Sequence, residues 1–197
     1  MTKESKTHIE RPKRVIFRET FADEQSVRRN GGTPTNVTFS NGVGTFSAVV
    51  EVITYPNIHL PTSGFSVRII FRPVNVANTW YIASKYNGSN TGYVILQSLT
   101  ALRFYVGGVG SNYAQVTVAA DTWYEAVGVW DGSATKLYLN TIIGTNAVTP
   151  IPPVTYDGLQ YIGAKYDNGS DFEGDIDLLE IYNYALTQSE IANMAGI

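Results

Sequence analysis

GDIDLLEIYNYALTQSEIANM, residues 174–194, changes its periodicity halfway through. Its first part, IDLLEIYN (176–183), is aliphatic and aromatic with polar interruptions, the composition of a strand. In its second part Thr187 stands three residues before Glu190. At that spacing a hydroxyl caps a helix start while the carboxylate reaches back to the cap. Ile191 and Met194 give this helix an apolar side and Gly196 supplies its end. The chain is thus expected to close with a strand feeding a short helix that packs on what precedes it. The stretch is also acidic: from Asp171 to Glu180, five carboxylates occupy ten positions.

Working upstream, the same strand chemistry recurs between turn signals. VIFRETF (15–21), NVTFS (36–40), VGTFSAVVEV (43–52), FSVRIIFRP (65–73) and WYIASKY (80–86) are rich in β-branched and aromatic residues. GYVILQS (92–98), ALRFYVG (101–107), YAQVTVA (113–119), WYEAVGVW (123–130), TKLYLN (135–140) and LQYIGA (159–164) continue the series. Asn41-Gly42, Asn87-Gly88, Asp131-Gly132 and Asn168-Gly169 offer the positive φ of tight hairpin turns. About a dozen strands joined by short turns make an antiparallel sandwich, not a set of βαβ units.

At this point the residues resemble a known family. Gly174, Ile176, Asp177, Ile181, Tyr182, Asn183, Ala185, Leu186, Thr187, Glu190 and Ile191 fit the closing signature of laminin G-like jelly rolls of the concanavalin A-like superfamily. DTWYEAVGVWDGSATKLYLN (121–140) resembles the same family's strand pair, with Thr141 where Gly is usual, so the following turn is expected to be built differently. The resemblance implies an all-β, concanavalin A-like (LamG-type) antiparallel jelly-roll sandwich over residues 14–197, with a short C-terminal helix. It identifies a fold better than an activity, because the superfamily holds lectins, adhesion modules, virion proteins and glycosidases.

Composition narrows the chemistry. The chain has 197 residues, 44% hydrophobic and 16% charged, with 13 Tyr and no Cys, enough for one core and excluding disulfides and thiolate metal sites. Its net charge of -3 is uneven: residues 1–18 carry +4, which leaves -7 for the rest. Residues 1–13 read as an extended basic N-terminal arm, in which Lys3, Lys6, Arg11 and Lys13, with Arg14 beyond it, are the expected partner contacts. The alternative is a solvated terminus. The start has no apolar secretory stretch and no run approaches a membrane span, so cytoplasmic synthesis and no membrane partner are expected. His8 and His59 have no partners at metal or triad spacing.

Three readings compete for the acids. Glycoside hydrolysis needs two carboxyl groups across a scissile bond. Glu173-Gly174-Asp175-Ile176-Asp177 has the period-two spacing of the superfamily's glucanase motif but ends in Asp, and in a regular strand Glu180 points to the opposite face. Calcium takes six to eight oxygens, and Asp167, Asp171, Glu173, Asp175 and Asp177, punctuated by Gly, supply a candidate structural Ca2+ site, which the resemblance supports. In the third reading the loop acids are solvated and Asp177 accepts backbone N–H bonds.

Trp80, Tyr86, Asn87, Tyr113 and Tyr166 are the candidate ligand-binding residues, since ring faces stack on pyranoses while amides fix their hydroxyls. Core packing is the competing reading for each ring. The resulting expectation is a non-enzymatic virion component, a capsid decoration or tail-fibre module of a bacteriophage. It is made in the host cytoplasm, anchored by its arm to other virion proteins, open to oligomerisation, and able to bind surface glycans. The alternative is a carbohydrate-binding or adhesion module of an extracellular or bacterial cell-surface protein. Glycoside hydrolase ranks third, and nucleic acid is not an expected partner.

Overall fold

The computed structural model describes residues 13–194 apart from 48–49, 89–90, 108–109, 111–112, 147–152 and 154. Lys3, Lys6, Arg11 and the helix-ending Gly196 therefore lie outside the described residues. In chain order the elements begin with β1 (Val15–Glu19), α1 (Glu24–Arg29), β2 (Thr33–Thr35), β3 (Thr38–Ser40), β4 (Val43–Ser47) and β5 (Val52–Tyr55). Next come β6 (Phe65–Pro73), β7 (Thr79–Lys85), β8 (Tyr93–Ser98), β9 (Ala101–Val106), β10 (Tyr113–Thr117) and β11 (Tyr124–Trp130). The chain closes with β12 (Thr135–Leu139), β13 (Ile142–Ile143), β14 (Thr145–Asn146), β15 (Gln160–Ile162), β16 (Glu173–Tyr182) and α2 (Gln188–Met194).

These strands form two antiparallel sheets of eight. Sheet A runs β13-β12-β11-β6-β16-β4-β3, with β1 beside the second half of β16, and sheet B runs β14-β10-β9-β8-β7-β15-β5-β2. Period-two alternation sends Phe65, Val67, Ile69 and Phe71 of β6 inward, where they meet Tyr93, Ile95, Leu102 and Phe104 of sheet B in one core. Gly128 of β11 faces Phe104 so closely that an added Cβ would lie 2.5 Å from its ring, so a glycine in mid-strand here makes room for an aromatic.

The closing segment folds as its pattern predicts. Glu190 N donates to Thr187 Oγ1 at 3.2 Å and Thr187 N donates to Glu190 Oε2 at 2.7 Å, a reciprocal cap for α2. Leu186 and Ile191 then pack on Val127, Val129, Tyr138 and Tyr182, so the helix covers the outer face of sheet A. Within that layer Arg68 donates from Nε to Glu125 (2.6 Å), from Nη1 to Glu180 (3.0 Å) and from Nη2 to the Met194 carbonyl (3.2 Å).

Three local expectations are corrected. Residues 43–52 are two strands in different sheets, β4 in sheet A and β5 in sheet B, and Val50 between them takes φ +52°. In β16 the register against β6 slips at Asp177, so Glu180 lies on the same outer face as Asp175. The turn after Asn140 keeps the left-handed form, with Thr141 held at φ +72°, so the missing glycine leaves the geometry and adds strain.

A buried lysine gives the fold a pH signature. Lys85 is 1% exposed, its Nζ donating to Asn57 Oδ1 (2.8 Å) and the Gly158 carbonyl (2.6 Å) under the Tyr156 ring. Burial lowers its pKa from 10.5 to about 8, against a smaller opposing pull from Asp157. The unfolded chain therefore binds more protons between these two values, and stability rises with pH across that window. From pH 8 to 10, below the range where buried tyrosines oppose the trend, the unfolding free energy is expected to gain about 1–3 kcal/mol. Urea titrations at pH 7.5, 8.5 and 9.5 measure the slope, and Lys85→Met should flatten it; an unchanged slope assigns the effect elsewhere.

Candidate functional site

The outer face of sheet B carries the molecule's aromatic surface. In β9 and β10, Leu102, Phe104 and Ala114 point into the core, so Arg103, Tyr105, Tyr113 and Gln115 point out. Register aligns them in rows: Tyr113 beside Tyr105 beside Val94, and Gln115 beside Arg103 beside Leu96 beside Tyr81. Val94, Leu96, Tyr81 and Tyr105 form a floor that is at most 8% exposed.

Two loops wall this floor on one side. Tyr86 stacks parallel to Tyr81 with centroids 6.1 Å apart, and its hydroxyl donates to that of Tyr81 at 3.3 Å. Tyr166 meets Tyr86 edge-on at 5.0 Å and lies over Gly88, where a Cβ would come within 2.8 Å of its hydroxyl. The 165–171 loop is tied down by Tyr81 N donating to the Ser170 carbonyl (2.9 Å). Asn87 closes the other loop, accepting from Thr91 Oγ1 at 2.9 Å. On the opposite side Tyr113 packs on Tyr105 at 5.0 Å with Arg103 4.8 Å above its ring.

The structure thus joins three of the five candidate ligand residues in one cluster and separates their roles. Tyr113 and Tyr166 are half-buried and keep ring surface outward, whereas Tyr86 is 3% exposed and supports Tyr166. Trp80 faces the inter-sheet core, with its Nε1 donating to Asn75 Oδ1 at 3.4 Å. Arg103, Tyr105, Gln115 and Lys165 were not singled out by sequence. For the β9 and β10 residues the signal was the alternation itself, since ALRFYV and YAQVT place them opposite the core positions.

Burial pushes the Tyr105 phenol up, and Arg103 beside it partly offsets this. Lys165 Nζ sits 2.9 Å from Asp167 and 5.6 Å from the Tyr166 ring, the ion pair raising its pKa. Rings, a guanidinium, an amide and an ammonium on a preformed sheet make a surface for stacking and hydrogen bonding.

The five acids are dispersed. Asp175 binds Arg72, whose Nε lies 2.9 Å away, and accepts from Thr45 Oγ1 at 2.7 Å; Glu173 accepts from Asn75. Asp167 pairs with Lys165, and Asp171 accepts from Val50 N at 2.8 Å while its other oxygen is buried without a partner. Asp177 is the bulged, half-buried residue, and burial raises its carboxyl. Among the described residues no three acids or histidines gather as metal ligands. Glu125 and Glu180 share Arg68 beneath α2, closed to a substrate. Of the arm contacts, Lys13 lies 5.2 Å above the Tyr184 ring and Arg14 N donates to Asn183 Oδ1 at 2.8 Å.

Two apposed sheets, one presenting tyrosines and an arginine outward, define a lectin-like jelly-roll domain. A family model of laminin G type matches residues 26–192, and the chain belongs to the concanavalin A-like lectin/glucanase superfamily. Among solved structures it is similar to domain 4 of AbnA, an extracellular GH43 arabinanase from Geobacillus stearothermophilus solved with arabinotriose. That match has 17% identity and a TM-score of 0.69, over 93% of this chain and 99% of that one. A heptameric SAP-like pentraxin from Limulus polyphemus matches with 17% identity and a TM-score of 0.64, over 78% and 81%. The ligand-binding domain of botulinum neurotoxin serotype D, in complex with N-acetylneuraminic acid, matches with 14% identity and a TM-score of 0.66, over 83% of this chain and 45% of that one. The chain thus spans under half of the neurotoxin domain. No curated protein matches the sequence. No helix among the described residues is long and apolar enough to cross a membrane.

Proposed function

We propose that this chain is a non-catalytic glycan-binding module whose site is the outer face of sheet B, working at an extracellular, cell or particle surface. The observation that carries this reading is the partly exposed pair Tyr113 and Tyr166, set on a floor of buried tyrosines and aliphatics with Arg103 and Gln115 alongside. A rigid base beneath exposed rings reduces the entropy lost when a sugar docks. Superfamily membership and the arabinotriose complex of a similar fold agree with it. Placement on a virion rests on the basic arm, of which only Lys13 belongs to the described residues, and the glycan reading does not depend on it.

A glycan array followed by calorimetry on the hits tests the proposal. Tyr113→Ala is expected to weaken binding at least tenfold, about 1.4 kcal/mol, with an unchanged melting curve. Trp80→Phe, on the core side, should leave affinity unchanged. Binding that survives loss of both Tyr113 and Tyr166 would move the site elsewhere.

A further inference from the structure

Resting on the glycan reading, we infer that this face selects saccharides bearing a carboxylate, and that Arg103 is the residue that reads it. Arg18, Arg28, Arg68 and Arg72 each face a carboxylate of the chain. Arg103 has none within 4.0 Å among the described residues. Arg103 is half-buried, with its guanidinium over the Tyr113 ring at 4.8 Å and Nε donating to Gln115 Oε1 at 3.4 Å. Stacking, that amide and a hydrogen bond to the Tyr105 hydroxyl hold the guanidinium plane, and these partners use only part of its five N–H donors. A planar fork of donors matches a carboxylate bidentately. Because the residues after position 18 sum to -7, a cation without an acidic partner on this face is a local exception to the field that would otherwise repel an anionic ligand. Lys165 reinforces it from the far wall, where Tyr166 and Tyr81 lie within its electrostatic reach, although Asp167 shares its charge.

The geometry assigns two subsites. A sugar ring lies against Tyr113 or Tyr166, and its carboxylate, from a uronic or a sialic acid, meets Arg103. The test compares matched probes by calorimetry: oligogalacturonate against its carboxyl-reduced galactan, and sialyllactose against lactose, with a sulfated lactose as third arm. The uronate and sialate arms separate the two sources of the group. At least one carboxylated probe is expected to bind tenfold or more tightly than its neutral partner. Arg103→Gln should erase that ratio by weakening the carboxylated probe more than its neutral partner, and Arg103→Lys should restore part of it.

Equal affinity for charged and neutral partners, an unaltered ratio in Arg103→Gln, or preference for the sulfated probe overturns the assignment. Neutral-only binding that depends on Tyr113 overturns this inference and leaves the glycan reading standing. Absence of binding to any glycan removes both.

Discussion

Arg68→Met lowers the unfolding free energy by about 3–5 kcal/mol, which for a chain of this size is roughly 6–20 °C in melting temperature. The physical cause is what stays behind. Arg68 Nε lies 2.6 Å from Glu125 and Nη1 lies 3.0 Å from Glu180, whose side chains are 4% and 5% exposed. Without the guanidinium, two carboxylates remain on β11 and β16, the strands that flank β6, beneath a helix, and Glu125 already has one oxygen without a partner. Arg18 and the Tyr182 hydroxyl soften the loss at Glu180, at 3.3 and 2.7 Å, and nothing equivalent reaches the Glu125 carboxylate among the described residues. Replacing all three, as Arg68→Met with Glu125→Leu and Glu180→Leu, removes the buried charges together and should return stability to within about 2 kcal/mol of the parent. Urea unfolding of both variants measures this. A mild effect of Arg68→Met alone would mean that water reaches the network. The Met194 carbonyl also depends on Arg68, so the single variant should increase exchange of the α2 amides.

The second large effect is at Gly174, the first residue of the closing signature. Its φ is +156°, and a Cβ there would lie 2.2 Å from the Arg72 carbonyl oxygen and 2.6 Å from the Phe172 ring. The first contact is with backbone of β6, the central partner of β16, and neither strand can retreat without breaking the ladder on its other side. Gly174→Ala is expected to cost about 2–4 kcal/mol, combining backbone strain with overpacking. Gly42 is the control: its φ is +80° with nothing within 4 Å of a Cβ, so Gly42→Ala should cost about 1 kcal/mol. Equal losses at the two positions would show that conformation, not crowding, explains the signature glycine. Denaturant midpoints of the two variants decide it.

Legibility in the sequence followed the length of the periodic signal. β6, with nine residues in strict alternation, was readable to its ends, and so was the capped start of α2. α1 was missed because six residues with one buried side chain, Val27, carry no periodicity; the Asp23–Ser26 capping box was the available clue. The two-residue strands β13 and β14 are defined by their partners alone. The face of Glu180 differs from the regular-strand expectation for another reason: one bulged residue, Asp177, inverts the parity of all that follow it in β16, and composition does not reveal a bulge.

What the sequence by itself determined was the architecture: alternation, turn chemistry and the closing strand and helix specify an antiparallel sandwich, because these are local properties of a chain burying one face of each strand. Which strands share a sheet was decided only in three dimensions, as the division of residues 43–52 between two sheets makes plain. The site was decided there too. Tyr81, Tyr105, Tyr113 and Tyr166 come from four separate segments, and their common face follows from strand order and register, which depend on contacts between distant parts of the chain. Whether an aromatic ring belongs to a core or to a binding surface depends on which side of its sheet is covered, and that is a property of the packed molecule.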